Sequence, residues 1–322
     1  MRVLITGAGG FIGKVLTRHL LSGTELLDRG GTAQQIERIL LVDTYLPEAR
    51  DTRVDYLHGD ISNGSILQRI ADWKPDSIFH LAAILTSAAE REPAHALAVN
   101  VSGLAQFVNV LSSKSNPPKF IYPSSIAVFG GELPDVVNDD LVQRPQTTYG
   151  THKAIAELMI GDAARGGNID GRALRLPIVL VHPGPPTESV SDRIASVVRE
   201  AVAGREIVIP LRETTCIPVV SVETAAANLI VMHNLDVSRL NSVMVINQPA
   251  LTISMSEIVA SLRAELNSTI LNAQFKPDSA LEDIVASWPK GFVSHRANAL
   301  GISADKNFGE IVRHYITSCP NV

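Results

Sequence analysis

Leu4-Ile5-Thr6-Gly7-Ala8-Gly9-Gly10-Phe11-Ile12-Gly13 decides the fold of this chain. Val3, Leu4 and Ile5 read as a buried parallel strand, and residues 14–21 as an amphipathic helix. Between them Gly7, Gly10 and Gly13 recur at a regular spacing of three. A strand that breaks into glycines and resumes as a helix suits a dinucleotide. One glycine allows the tight turn, one lets the backbone approach the pyrophosphate, and one lets the helix pack on the strand. The helix N-terminus then faces the anion.

The rest of the first half repeats strand and helix. Residues 23–38, with Gly30-Gly31 and mixed charges, read as an irregular connection. Ile39-Leu40-Leu41-Val42 is a second buried strand ending at Asp43, an acid placed to accept from both hydroxyls of an adenosine ribose. Asp43 lies farther from the last glycine than the usual ~20 residues, and the long connection accounts for the excess. Thr44 and Tyr45 follow it, with no arginine to cradle a 2′-phosphate, so NAD is expected over NADP. A strand at 54–57 runs into Gly59-Asp60-Ile61, where an Asp can meet an adenine amino group. A helix at 65–73 and a strand at 77–81 lead to Ala82-Ala83, small enough for a cofactor to lie across the strand ends. A long apolar helix at 94–113 carries Asn100, and a fifth strand at 119–123 ends at Ser124-Ser125. This alternation is the pattern of an α/β doubly wound parallel sheet.

Tyr149 and Lys153 stand four apart on what reads as a helix running on to 164, so phenol and ammonium share one face. An ammonium, together with a nicotinamide's positive charge, lowers a phenol's pKa from its usual ~10. The phenolate can then take the proton of a substrate alcohol while hydride leaves its carbon. A strand-end serine can hold the same oxygen. This is general acid–base catalysis beside a cofactor that carries the hydride.

Beyond that helix, a sixth strand is expected at 172–181, ending in His182-Pro183-Gly184-Pro185-Pro186. Helices at 192–203, 223–233 and 255–266 and strands at 207–210, 218–222 and 243–247 follow, the last back in the cofactor sheet. The expected division is a dinucleotide-binding Rossmann domain, 1–174 with 216–247, and a smaller substrate-binding domain, 175–215 with 248–322. The chain has 322 residues, 45% hydrophobic, enough for a real core, and a net charge of −5. Slight acidity without basic blocks argues against nucleic acid as a partner. Two cysteines, Cys216 and Cys319, offer no disulfide framework and fit a reduced compartment. The first strand begins at Arg2, leaving no room for a signal peptide, and no apolar run reads as long enough to span a bilayer. The expectation is a soluble cytoplasmic protein with a small-molecule substrate, no membrane partner and no metal.

These residues resemble the extended short-chain dehydrogenase/reductase superfamily, the group containing UDP-galactose 4-epimerase. Thr6 to Gly13, Asp43, Asp60-Ile61, His80-Leu81-Ala82-Ala83, Asn100, Ser125, Tyr149 and Lys153 occupy its motif positions in order. The resemblance implies catalysis by Ser125, Tyr149 and Lys153. It implies NAD held by Gly7, Gly10, Phe11, Ile12, Gly13, Asp43, Asp60, Ile61, Leu81, Ala82, Ala83, Asn100, Ser124, Tyr149, Lys153 and Pro177. In this superfamily the helices corresponding to 94–113 and 149–164 often meet a twin across a two-fold axis, which implies a homodimer.

A closer resemblance is to the D-erythronate dehydrogenase family, NAD-dependent oxidants of a four-carbon sugar acid. It rests on Ser124 to Gly131, Tyr149-Gly150-Thr151-His152-Lys153-Ala154, Asp170 to Pro177, Pro183-Gly184, Ser287-Trp288-Pro289 and Arg296-Ala297 with Leu300-Gly301. The chain departs from that family in carrying His182 where members carry arginine and Thr187 where they carry asparagine. It also lacks a Trp-containing segment around 216–218. Thr86, Ser124, Ser125, His182 and Thr187 are the residues expected around substrate, with Arg175 and Arg193 near enough in sequence to meet a carboxylate. Hydride transfer at the secondary alcohol of a hydroxy acid is therefore expected. A less polar ketone or enone is the alternative. A nucleotide-sugar epimerase ranks lower, because Ile217 stands where such enzymes place a diphosphate-binding arginine and Arg212 is the nearest substitute. A non-catalytic NAD sensor would not need the phenol.

Overall fold

The computed structural model describes residues 1–46, 51–112, 116–181, 190–240, 244–267 and 271–318. The glycine-rich stretch joins β1 (Arg2–Thr6) to α1 (Phe11–Leu21). The connection expected to be irregular contains a small antiparallel hairpin, β2 (Leu26–Leu27) and β3 (Ala33–Gln34), with Leu26 fully buried. Asp28 closes it by accepting from the backbone of Gly30 and Thr32 and from Gln34. Two-residue strands carry no period, so nothing in the sequence pattern announces them.

Then come β4 (Arg38–Asp43), β5 (Val54–His58), α2 (Gly64–Trp73) and β6 (Ser77–His80). Asn63 caps α2 by accepting from Ser65, and left-handed Lys74 ends it before Pro75. The long apolar helix is preceded by α3 (Thr86–Arg91) and is itself three pieces. These are α4 (Pro93–Leu97), a π-helical turn at Ala98–Gly103, and α5 (Leu104–Ser112). Contrary to the sequence expectation, the 20 residues Pro93–Ser112 are long and apolar enough to cross a membrane by length and composition. Leu104, Phe107 and Leu111 are nonetheless fully buried against the sheet, so the helix is a layer of this fold.

The chain continues through β7 (Lys119–Ser125), β8 (Val136–Val137), α6 (Thr148–Arg165), β9 (Asp170–Leu176) and β10 (Ile178–Leu180). It goes on through α7 (Val190–Val202), β11 (Ile207–Ile209), β12 (Cys216–Ser221), α8 (Val222–Asn234) and β13 (Val245–Asn247). It closes with β14 (Leu251–Ser254), α9 (Met255–Glu265), β15 (Ala273–Phe275), α10 (Ser279–Ala286), β16 (Gly291–Phe292), α11 (His295–Ala299) and α12 (Phe308–Ser318).

Seven strands pair in parallel in the order β13-β9-β7-β6-β1-β4-β5. Alternate strand residues feed two cores, as the period-2 pleat requires. Val3, Ile5, Phe79 and Ile121 pack with α1 and α8; Leu4, Ile78, Phe120 and Tyr122 pack with α2, α5 and α6. Covering both faces is why these strands read as unbroken apolar runs.

A second sheet, β10-β12-β14, centres a third core with α7, α9 and α12. The strand expected over 172–181 splits at Pro177. β9 belongs to the large sheet and β10 pairs with β12 in the small one. Proline has no N–H to offer a ladder, so the chain changes sheets there. Segment 216–221 also lies in the small sheet, and the chain returns to the large one with α8 and β13.

Candidate active site

A cleft of about 400 Å³ opens across the carboxyl ends of β1, β4, β5, β6, β7 and β9. Its floor is the glycine turn. Gly7 has φ +68°, and a Cβ on it would lie 2.6 Å from the Ala82 nitrogen. A Cβ on Gly13 would lie 2.5 Å from the Gly7 carbonyl oxygen. The turn therefore packs against β6's end only because these side chains are missing. Gly9, which the spacing of three passes over, is equally constrained: a side chain there would collide with the Tyr45 carbonyl. The Gly9 N–H donates to Asp43 at 2.9 Å, so the acid ending β4 is already anchored to the turn.

Thr6 ties β1 to β6. Its hydroxyl hydrogen-bonds His80 Nδ1 at 2.8 Å and accepts from the Ala82 N–H at 3.3 Å. Burial pushes His80 down to about 3, so the imidazole is neutral. Leu81, Ala82 and Ala83 line the cleft beyond it, as do Phe11, Ile12, Asp60, Ile61, Thr86 and Pro177. Asn100 does not line it. From the π turn its amide clamps Ile84, accepting from the N–H at 2.8 Å and donating to the carbonyl at 2.9 Å. It shapes the wall from behind.

β7 and α6 bring the reactive side chains together. Ser124 and Ser125 are the last residues of β7, not residues after it. Thr147 caps α6 by accepting from Gly150, and Gly150 presses on the Ala127 backbone so closely that any side chain would collide with its carbonyl. This contact sets Tyr149 beside Ser125 in the cleft, and the Ser125 hydroxyl accepts from the Ala127 N–H at 3.1 Å. Burial raises the Tyr149 phenol above its ordinary range, and the neighbouring Ser125 side chain opposes this. Lys153 is almost fully buried and donates to the Pro123 carbonyl at 2.7 Å. Its ammonium lies 4.2 Å from the Tyr122 ring centre and 5.6 Å from that of Tyr149. Burial pulls Lys153 down to about 7, against the pull of the Glu157 carboxylate. A phenol held protonated by burial, with a cation at hand, is ready to ionise once more positive charge arrives.

The far end of the cleft is mostly apolar: Leu85, Ile126, Ile178, Val179, Val190 and Trp288, with Ser191 and His95. Trp288, Ser191 and His95 have no pattern in the sequence that points to the cleft. Of the residues expected around substrate, Thr86, Ser124 and Ser125 line the cleft, although the Ser124 hydroxyl donates to Glu157. His182 and Thr187 lie outside the described residues. Arg175 is buried, bound to Glu157 and stacked over Phe129, and Arg193 is engaged by Asp278 at 2.6 Å. Neither lines the cleft where a substrate carboxylate would lie.

The cradle suits NAD. Backbone replaces side chains where a pyrophosphate needs close approach, and Asp43 stands where a ribose needs an acceptor. Comparison with known proteins agrees. Residues 3–246 match the model of the NAD dependent epimerase/dehydratase family. D-erythronate dehydrogenase of Cupriavidus necator is 34% identical, covering 98% of this chain and 98% of that one. D-erythronate dehydrogenase of Haemophilus influenzae is 33% identical, covering 98% and 99%. Among solved structures, a nucleoside-diphosphate-sugar epimerase from Agrobacterium tumefaciens superposes with a TM-score of 0.91 at 30% identity, covering 98% of this chain and 94% of that one.

Proposed function

The chain belongs to the NAD-dependent epimerase/dehydratase family as an oxidoreductase of CH–OH donors that uses NAD, and from that premise we propose how it works and on what. Tyr149 is the general base for alcohol oxidation and the general acid for ketone reduction. Ser125 holds the substrate oxygen, and Lys153 stabilises the phenolate. NAD supplies the hydride acceptor. The proton leaves the substrate hydroxyl for the Tyr149 oxygen as the carbonyl forms. The parallel sheet holds the cofactor, and the lobe built on the small β10-β12-β14 sheet covers the substrate through Ile178, Val190 and Trp288. The observation that carries this reading is the joint placement of Ser125, Tyr149 and Lys153 in the cleft that the glycine turn and Asp43 open.

The substrate is a small secondary alcohol of the hydroxy-acid class, by kinship with the two D-erythronate dehydrogenases. One observation favours a second reading, a less polar ketone. The described substrate walls are apolar, and both arginines near enough in sequence are already paired. A sugar nucleotide fits less well: Ile217 is fully buried in the small-sheet core, and Arg212 is exposed away from the cleft-lining residues. NADH absorbance on mixing the protein with NAD and D-erythronate, then with NADH and a series of ketones, separates the readings. Formation of NADH from D-erythronate supports the hydroxy acid, and consumption of NADH by apolar ketones alone supports the second.

The same reading includes a homodimer. Leu97 on α4 is 47% exposed and Leu158 on α6 is 71% exposed, on neighbouring apolar helices. A second copy would cover both. Light scattering at micromolar concentration should give twice the chain mass; a monomer refutes it.

A further inference from the structure

Glu157 follows Lys153 by four residues on α6, so both side chains rise from one helical face. Both reach the end of β7. Lys153 donates to the Pro123 carbonyl, and Ser124, the next residue, donates its hydroxyl to Glu157. Glu157 is 3% exposed. It also receives Gln143 Nε2 and the Arg175 guanidinium, whose Nε lies 3.0 and 3.2 Å from its two oxygens and whose Nη2 lies at 2.9 Å. Four segments meet on this one side chain, directly behind the reactive pair.

Resting on the Tyr149–Lys153 chemistry proposed above, we infer that Glu157 is a positioning residue for the reaction. Its carboxylate ties the end of β7 to α6 and places a negative charge one helical turn from Lys153, and so sets the pH at which Tyr149 gives up its proton.

The groups around Lys153 leave this task to Glu157. From β6 comes His80, neutral; from β7 comes Tyr122, whose phenol burial holds well above its usual range; from α6 come Tyr149 and Glu157. Arg175 from β9 reaches the carboxylate. Among the described residues Glu157 is the carboxylate one helical turn from the ammonium, acting on it through space with no ion pair between them. Burial alone works to discharge Lys153, and a neutral amine exerts no pull on a phenol. Losing the carboxylate therefore moves Tyr149 back toward the high value that burial imposes.

The test is an ultraviolet difference titration of tyrosinate in the NAD complex, wild type against Glu157→Gln, each referenced to the same protein carrying Tyr149→Phe. The expected result is a Tyr149 midpoint at least one pH unit higher in Glu157→Gln. Near neutral pH that corresponds to about tenfold less phenolate and a comparable fall in kcat, with KM for NAD unchanged. Glu157→Asp should restore most of the shift. Because Glu157→Gln leaves Arg175 buried and unpaired, Glu157→Gln/Arg175→Met is measured in parallel and should show the same upward shift. An unmoved midpoint in Glu157→Gln, or a wild-type midpoint in the double variant, overturns the inference. Full catalytic activity in Tyr149→Phe instead refutes the Tyr149 chemistry itself, a distinct outcome.

Discussion

The two halves of the cleft are built by different rules. In the cofactor half, Gly7, Gly10, Gly13, Asp43 and Leu81 to Ala83 each follow or end a strand of one parallel sheet. Backbone geometry chooses them: a side chain at Gly7 or Gly13 would strike backbone that cannot move. In the substrate half, Thr86 comes from α3, Ile178 from β10, Val190 from α7 and Trp288 from beyond α10. Side-chain shape chooses these, and they meet only because two sheets pack together. One half tolerates almost no substitution and says which cofactor enters. The other can change side chains without moving the scaffold, which is how one fold comes to serve many substrates.

The sharpest way to break the comparison is at the seam between the halves. Tyr149→Phe removes the proposed proton acceptor but keeps the ring, so turnover should fall by about two to four orders of magnitude while NAD affinity stays within a few-fold. Stopped-flow turnover and NAD titration by fluorescence check both. A drop shared equally by binding and turnover would show that the phenol belongs to the cofactor half instead.

Within the cofactor half, Asp43→Ala should narrow the NAD-over-NADP ratio of kcat/KM by about 10–100-fold, the worth of hydrogen bonds to a charged acceptor. The carboxylate accepts from Gly9, and its charge opposes a 2′-phosphate. A wild-type preference for NADP would break the assignment outright.

The halves also differ in how far the sequence exposed them. The strand–helix alternation, the glycine turn, and the positions of Asp43, Asp60, Tyr149 and Lys153 along the cleft are legible because each depends on residues a few positions apart. Legibility fails where the cause is distant. Gly9 is fixed by Tyr45, Gly150 by Ala127, and Trp288 by the meeting of two lobes. Pro177, read as part of a continuous strand, is the point where the chain changes sheets. Nothing in the sequence marks Glu157, because its partners Ser124, Gln143 and Arg175 come from three other segments. Arg175 looked open to substrate for the same reason.

In the substrate half, His182→Arg should raise kcat/KM for D-erythronate by about tenfold, since a bidentate guanidinium pair with a carboxylate outweighs a neutral contact. His182 lies outside the described residues, and the expected gain is one of charge. The arginines at 175 and 193 are engaged elsewhere and offer no competing partner. A wild-type enzyme already fast on D-erythronate, and slower after the change, would show that the carboxylate is met by another group.

The smallest effect tests where the boundary runs. Ser124 lines the cleft by position, yet it is buried and its hydroxyl donates to Glu157. If it serves the network behind the site, Ser124→Ala takes one donor from a buried carboxylate that keeps Arg175 and Gln143. The expected cost is about 1 kcal/mol of stability, read as a lowered urea midpoint at unchanged slope. KM for the substrate should stay within about twofold, because a hydroxyl committed to Glu157 has no proton to offer a ligand. Ser125→Ala makes the contrast, since Ser125 lies beside Tyr149 in the cleft and is proposed to hold the substrate oxygen: it should cost turnover, with a stability loss no larger than its one bond from the Ala127 N–H. If Ser124→Ala instead raised KM and left the urea midpoint alone, Ser124 would belong to the substrate half after all. The seam between the halves would then run one residue earlier along β7.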